Sequence, residues 1–246
     1  MATATTSAVH GVRTDRERWL GGYAVLAAAV AVVVAPLLGL AWFATEDGSE
    51  ALGTASVAWW ADPGRDALEP LLTWAGPDRV YATYVQVVAL LWPAVLVSAW
   101  HAFRRRPART RTERASWRVL LGGCLLLQAG LTWISFYLVA GNPNGSAIDL
   151  PFFALMIPGT LLSTGGSSAL GISLLRGGWE PRATAWLLAA AFPFWFVVSI
   201  VLGHNGLGML TMFLAWAVYG RRLREGYGET ATPMVSAARN RGAFGS

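Results

Sequence analysis

Six apolar stretches constrain what this chain can fold into more than any other feature of its sequence. The first five each contain about 20 residues, the length that an α-helix needs to cross roughly 30 Å of hydrocarbon. The sixth is shorter and reaches that length only if the glycines at its ends also lie in the membrane. The stretches cover residues 20–44, 80–103, 119–140, 151–175, 183–202 and 207–219.

The overall composition agrees with a chain that lies in a bilayer. Hydrophobic residues make up 54% of the sequence and charged residues only 13%, which excludes an ordinary soluble domain. The sequence therefore predicts an all-α, polytopic integral membrane protein with a bundle of six transmembrane helices. An alternative joins the last two stretches into one helix from Ala183 to Arg222, but that helix would be about twice as long as a bilayer requires.

The positions of the arginines predict the orientation of this bundle. All 19 basic residues are arginines, and short cytoplasmic loops retain arginine whereas translocated loops avoid it. With the N-terminus inside, only Arg65 and Arg79 fall on the outer side. We therefore expect a protein of the cell (inner) membrane with both termini in the cytoplasm. The seven arginines from Arg104 to Arg118 form a loop suited to anionic lipid headgroups.

Three regions follow from this arrangement. They are a cytoplasmic tail at residues 1–19, a transmembrane domain at 20–222, and a tail at 223–246 whose small and polar residues predict disorder. A cleaved signal peptide is a weaker alternative for the first stretch. That stretch has about 25 residues, whereas the apolar part of a signal peptide has roughly 7 to 15.

The outer loop at residues 45–79 is acidic and rich in tryptophan, and it is long enough to fold. Asp62 and Pro63 are typical of a helix start, while Gly76 and Pro77 are typical of a helix end. The loop therefore predicts an amphipathic helix on the outer interface, either as a cover over the bundle or as a lid over a ligand pocket. Its apolar positions at helical spacing are Leu68, Leu71, Leu72 and Ala75, with Trp59, Trp60 and Trp74 nearby.

Two of the stretches carry a small residue at every fourth position, the spacing that lets helix backbones approach closely. We expect these two helices to pack against each other, or one of them to pack against a second copy of the chain or a membrane partner. The packing positions are Ala27, Ala31, Ala35 and Gly39 in the first stretch, and Gly159, Ser163, Ser167 and Gly171 in the fourth.

Uncharged polar residues are the only polar groups inside the six stretches. The absence of Asp, Glu and Lys there argues against a transporter with an acidic relay and against a retinal Schiff base. These residues either line a pocket that opens outward or bond neighbouring helices and hold the bundle together. They include Gln86, Gln128, Thr132, Ser135, Ser163, Thr164, Ser199 and Thr211, joined by His204 and Asn205 from an outer turn.

No residue pattern indicates catalysis, a metal site or a cofactor. Cys124 is the single cysteine, which excludes a disulfide within the chain and any CxxC motif. The histidines, His10, His101 and His204, fall at different depths and so do not form a haem-ligating pair. The basic charge follows from membrane topology, so we expect no nucleic-acid partner.

Three functions remain open from the sequence. The leading hypothesis is a non-enzymatic protein that binds or passes a small apolar or uncharged ligand through an outward-opening pocket. The alternative is a structural or accessory subunit of a membrane complex, docked through its stripes of small residues. The third is a membrane-embedded enzyme that acts on a lipid headgroup with the loop carboxylates, for example Asp62, Asp66 or Glu69.

Overall fold

The computed structural model describes residues 15–139 and 150–225. Within these residues the chain is helical and has no strand, which confirms the all-α prediction. Short 3₁₀ segments at Glu50–Gly53 and Leu207–Met209 and a π-helical turn at Phe152–Met156 connect the α-helices. The α-helices are α1 Asp15–Trp42, α2 Glu46–Ser49, α3 Ala55–Ala67, α4 Glu69–Leu72, α5 Pro77–Arg105, α6 Arg111–Val139, α7 Ile157–Arg176, α8 Arg182–Ala189, α9 Ala191–Leu202 and α10 Leu210–Glu225.

Three helices, α1, α5 and α6, are long and apolar enough to cross a membrane. The pair α8 and α9 bends by 44° at its break and counts as a fourth crossing if the two helices form one span. Helix α7 has 20 residues, but eleven of them are Gly, Ser, Thr or Pro, and α10 has only 16 residues. Length and composition thus support a helical membrane protein with three or four spans, and the count of six stays a prediction.

The long helices form a closed ring. Helix α1 packs against α5 and α10, and α5 packs against α6. Helix α6 in turn packs against α7, α7 packs against α8 and α9, and α8 returns to α10. Each long helix therefore buries one side in the bundle, whereas α9 buries only Ala191. The exposed sides of α1, α6 and α9 carry large apolar residues, which suits contact with hydrocarbon.

Glycines let the backbones of α6 and α7 come into contact. A Cβ at Gly159 would lie 2.5 Å from the backbone nitrogen of Leu127, and one at Gly166 would lie 2.6 Å from that of Leu120. All eight residues of the two predicted stripes are buried. The expected pairing of α1 with α7 is wrong, however, because α1 packs on α5 and α10 whereas α7 packs on α6, α8 and α9.

The break between α8 and α9 is held by one side chain of α7. The hydroxyl of Ser168 accepts a hydrogen bond from the backbone N–H of Phe192 (2.9 Å) and donates one to the carbonyl of Leu188 (3.4 Å). Pro193 cannot donate a backbone hydrogen bond, so a helix must loosen near this point. Ser168 replaces part of the backbone bonding that the bend removes.

Residues 46–72, here called the cap, fold over one end of the ring. Helix α3 packs Val57 and Ala61 against Leu40 and Phe43 at the end of α1. An amphipathic helix does cover the bundle, but its predicted start at Asp62 is wrong, because α3 already begins at Ala55 and both Asp62 and Pro63 lie inside it. The apolar face made by Val57 and Ala61, one helical turn apart, sets the actual position of the helix.

The ends of α9 and α10 test two boundaries predicted from the sequence. Gly203 ends α9 with φ of +68°, a left-handed conformation that favours glycine. The chain therefore does not continue as a single helix from Ala183 to Arg222. Helix α10 runs to Glu225, past the predicted start of the C-terminal tail. The predicted disorder from residue 226 onwards and residues 1–14 of the predicted N-terminal tail lie outside the described residues.

The contact between α6 and α7 predicts that two adjacent glycines differ in their tolerance of a methyl group. We expect Gly166→Ala to lower the melting temperature in mild detergent, because its Cβ would collide with the backbone of α6 at Leu120. Gly165→Ala is the matched control, since a Cβ there meets nothing within 4 Å. Equal melting temperatures for the two variants, measured by tryptophan fluorescence, would contradict this packing.

Candidate functional site

The predicted pocket residues of α6 bond to α5 and to α6 itself. The amide nitrogen of Gln128 donates to the carbonyl of Ala89 on α5 (3.2 Å) and to the hydroxyl of Thr132 (3.0 Å). The hydroxyl of Ser135 donates to the carbonyl of Leu131, one turn earlier (2.6 Å). The bond from Gln128 to Ala89 is of the kind that holds membrane helices together, whereas the other two lie within α6.

The remaining pocket predictions lie on other helices. On α7, the hydroxyls of Ser163 and Thr164 both donate to the carbonyl of Thr160, at 3.1 and 2.7 Å. Gln86 lies half-buried on α5, and Ser199 lies half-buried on α9. No hydrogen bond among the described residues joins the polar side chains of α6 to those of α7 or α9, and ligand binding by this set stays a prediction.

His204 is the predicted pocket residue with the most distinctive surroundings. Its ring lies between the end of α1 and the cap, with ring centroids 5.9 Å from Trp42 and 6.4 Å from Phe43. The ring of Trp60 on α3 meets that of Phe43 edge to face at 5.7 Å. We call these four side chains, Trp42, Phe43, Trp60 and His204, the aromatic box. Asn205, next in the chain, is exposed.

The absence of a side chain at Gly39 and at Gly203 leaves room for the box. A Cβ at Gly39 on α1 would lie 3.3 Å from the ring of Trp60 and 3.4 Å from Nδ1 of His204. A Cβ at Gly203 would lie 2.8 Å from the side chain of Val57 on α3. The last small residue of the α1 stripe therefore faces the box, and the turn after α9 fits directly beneath the cap.

The hydrogen bonds of His204 define its protonation state. Its Nδ1 accepts from the backbone N–H of Gly206 (3.0 Å), which places the remaining proton of the neutral ring on Nε2. Burial lowers the pKa of His204 to about 4, because charging the ring requires removing an imidazolium from water. The imidazole is therefore neutral at physiological pH and presents Nε2–H as a donor.

A second donor of the box has no acceptor. The indole N–H of Trp60 is buried and makes no hydrogen bond to any residue in the described part of the chain. A buried donor without a partner costs about 1–3 kcal/mol. The box thus combines aromatic rings with two uncharged N–H donors, those of His204 and Trp60.

The cap also carries an open pocket of about 670 Å³ on its surface. The three carboxylates proposed from the sequence for headgroup chemistry, Asp62, Asp66 and Glu69, line this pocket together with Arg65. None of the nine predicted ligand-binding residues lines it. Among the described residues, no group of three or more His, Cys, Asp or Glu side chains is arranged to hold a metal ion.

Sequence patterns identify His204 but not the walls around it. They predict an interfacial position for Trp60 and give no prediction for Phe43. The sequence feature that could have located these walls is the pair Trp42 and Phe43 at the end of the first stretch. That end must lie close to the glycine-containing turn that carries His204. No known family model, curated protein sequence or solved structure matches this chain.

The neutral state of His204 predicts a pH dependence of stability. The unfolded chain takes up a proton near pH 6.5 and the folded chain only near pH 4. The stabilisation of the folded state by neutral His204 is therefore fully present above pH 6.5 and is lost as the pH falls towards 4. Between pH 7 and 5 the free energy of unfolding should fall by roughly 2 kcal/mol through this group.

Denaturant titration in mild detergent at several pH values measures this dependence. His204→Asn keeps an acceptor for the N–H of Gly206 but does not titrate, so its stability should fall less between pH 7 and 5. The same pH dependence in the wild-type protein and in this variant would show that His204 is not buried in its neutral form.

Proposed function

We propose that this chain crosses the cell membrane six times and binds a small, uncharged, largely apolar molecule in the aromatic box, with α3 as the lid. One observation carries the proposal. The neutral imidazole of His204 lies against Trp42 and Phe43, and Trp60 of the amphipathic helix α3 packs on Phe43.

Helix lengths and the alternation of helix ends support this proposal of six crossings. Helix α7, with 20 residues, is about 30 Å long, and α10 approaches this length together with the 3₁₀ turn before it. The cap lies at the end where α1 stops, and the arginine-rich loop lies at the end where α5 stops. The positive-inside rule then favours a cytoplasmic arginine end, an outward-facing cap, and both termini inside.

The chemistry of the box selects the ligand class. Its walls are aromatic faces, and its four side chains carry no charge at neutral pH. A charged ligand would lose its hydration there without gaining an ion pair, at a cost of several kcal/mol. A carbonyl or ether oxygen, in contrast, would accept hydrogen bonds from Nε2–H of His204 and from the indole of Trp60. We therefore expect an apolar molecule with such an oxygen.

Helix α3 has the features of a lid. It contacts the bundle through a narrow apolar face around Val57 and Ala61, and the helix is interrupted before Ala55 and after Ala67. Breaks at both ends allow a short helix to move as a unit. Opening of α3 would expose the box towards the outer side, as an outward-opening pocket requires.

The other two functions are affected differently by the structure. The accessory-subunit hypothesis relied on stripes of small residues, and those stripes are buried between helices of this same chain. A second candidate is favoured by the open pocket of the cap, where Asp62, Asp66 and Glu69 meet Arg65. There the carboxylates would bind or act on the cationic part of a lipid headgroup.

The aromatic box predicts selective photolabelling by benzophenone, an uncharged aromatic ketone. We expect irradiation of the protein in membranes to label peptides that contain Trp42, Phe43 and Trp60, because the ketone oxygen pairs with the two donors. Trp60→Phe removes one donor while retaining a ring, and should lower this labelling several-fold. Mass spectrometry of the digested protein measures the label at each site.

Trp59→Phe serves as the control for this experiment. The side chain of Trp59 is 66% exposed, so it does not contribute to the box although it is adjacent in sequence. Labelling at the box should be unchanged in this variant. Equal labelling of both variants, or labelling spread over the exposed face of α9 alone, would contradict a ligand site beneath the cap.

A further inference from the structure

The arginine-rich loop divides into residues that stabilise the fold and residues that face outward. Arg105 forms an ion pair with Glu17 on α1. Arg106 lies 3.8 Å from the buried carboxylate of Glu113 and stacks over the ring of Trp179 at 5.3 Å. These contacts tie the loop to α1, to α6 and to the turn before α8.

Arg109 completes the part of the loop that stabilises the fold. Its guanidinium donates to the carbonyl of Gly177 (2.6 Å), and its backbone N–H donates to Glu113 (3.1 Å). Glu113 is therefore shared by Arg106 and Arg109, and it is not available to neutralise any other arginine. Glu17 and Glu113 are thus already paired.

Arg111, Arg114 and Arg118 differ from these three. All are exposed, and none lies within ion-pair distance of a carboxylate anywhere in residues 15–139 or 150–225. At 100° per residue they project within about 60° of one another around α6. The start of α6 therefore presents three uncompensated positive charges on one face.

The same face continues as an apolar surface along the rest of α6. Leu125 is 58% exposed and Phe136 is 72% exposed, and Trp133 is also exposed. By helical geometry these three side chains lie in a sector of about 100° that also contains the arginines. One surface thus carries cations at one end, hydrocarbon-compatible residues along its length, and aromatic residues at the other end.

The length of α6 places the arginines at the level of lipid headgroups. The candidate span from Arg111 to Tyr137 has 27 residues and is therefore about 40 Å long. The hydrocarbon core is about 30 Å thick, and the bilayer with its headgroups about 40–45 Å. The two turns that contain Arg111, Arg114 and Arg118 consequently extend into the headgroup layer.

We propose that this face of α6 is a binding site for one anionic phospholipid, with the phosphate and headgroup on Arg111, Arg114 and Arg118 and an acyl chain along Leu125 towards Phe136. The three guanidinium groups supply donors for phosphate oxygens, and the exposed apolar residues match the chain. The site is at the opposite end of the bundle from the aromatic box and does not depend on the ligand proposed there.

Native mass spectrometry of the full chain, titrated with dioleoyl phosphatidylglycerol, tests the site. The wild-type protein should retain one lipid at low concentration and should bind dioleoyl phosphatidylcholine more weakly. The triple variant R111Q/R114Q/R118Q should weaken binding of phosphatidylglycerol by at least about tenfold, because each arginine near the surface contributes to attraction. The triple lysine variant keeps the charge and should bind within a few-fold of the wild type.

Two controls distinguish a defined lipid site from diffuse electrostatic attraction and from binding of the headgroup alone. The variant R16Q/R18Q/R222Q removes the same charge from exposed positions at the same end of the bundle, and it should bind like the wild type. Equal loss in both glutamine triples would show diffuse attraction instead of a site, and no loss in either would also overturn the proposal. Full competition by glycerol phosphate would show that the arginines bind the headgroup without its chains.

Discussion

The structure depends on one constraint, which is that hydrocarbon offers no hydrogen-bond partner to polar groups. Several polar side chains of the helices respond by bonding to backbone carbonyls. Trp92 donates to the carbonyl of Cys124 (3.1 Å), and Thr184 donates to that of Ala215 (3.1 Å). At the break between α8 and α9, the hydroxyl of Ser168 replaces part of the lost backbone bonding. These polar residues thus hold the helices in place, and the proposed binding sites lie at the two ends of the bundle.

The two ends of the bundle differ in the polar groups that they contain. At the arginine end, Glu17 and Glu113 pair with Arg105 and Arg106, and aromatic rings such as Trp117, Trp179 and Trp216 fill the space between helices. At the cap end, the interior contains the neutral ring of His204. The two proposed functions use the ends separately, the cap end for an uncharged molecule and the arginine end for an anionic lipid.

Periodicity and charge were sufficient to predict the helical class, the approximate position of each long helix and the division between α9 and α10. These features depend on local sequence. The partners of the small-residue stripes could not be predicted, because Ala27 and Gly159 specify close approach but not which helix approaches. The aromatic box depends on the fold of residues 46–72 over the end of α1, so Phe43 and Trp60 meet only in three dimensions.

The start of the cap helix shows a further limit of sequence reasoning. Asp62 and Pro63 resemble a helix start, yet burial of Val57 and Ala61 stabilises a helix that begins earlier. Tertiary burial outweighs a capping preference of about 1 kcal/mol. In this chain, the positions of helices that lie on the bundle are therefore set by the surface they cover.

Cysteine labelling tests the proposed topology most directly, because the proposed roles of both ends depend on it. In a Cys124→Ala background, single cysteines replace Asp62 and Asn205 at the cap end and Arg176 and Arg222 at the arginine end. Six crossings with an outward-facing cap predict that a membrane-impermeant maleimide labels only the first pair in intact cells and all four after permeabilisation. Labelling of Asp62→Cys without Asn205→Cys, or of Arg176→Cys in intact cells, would contradict this topology.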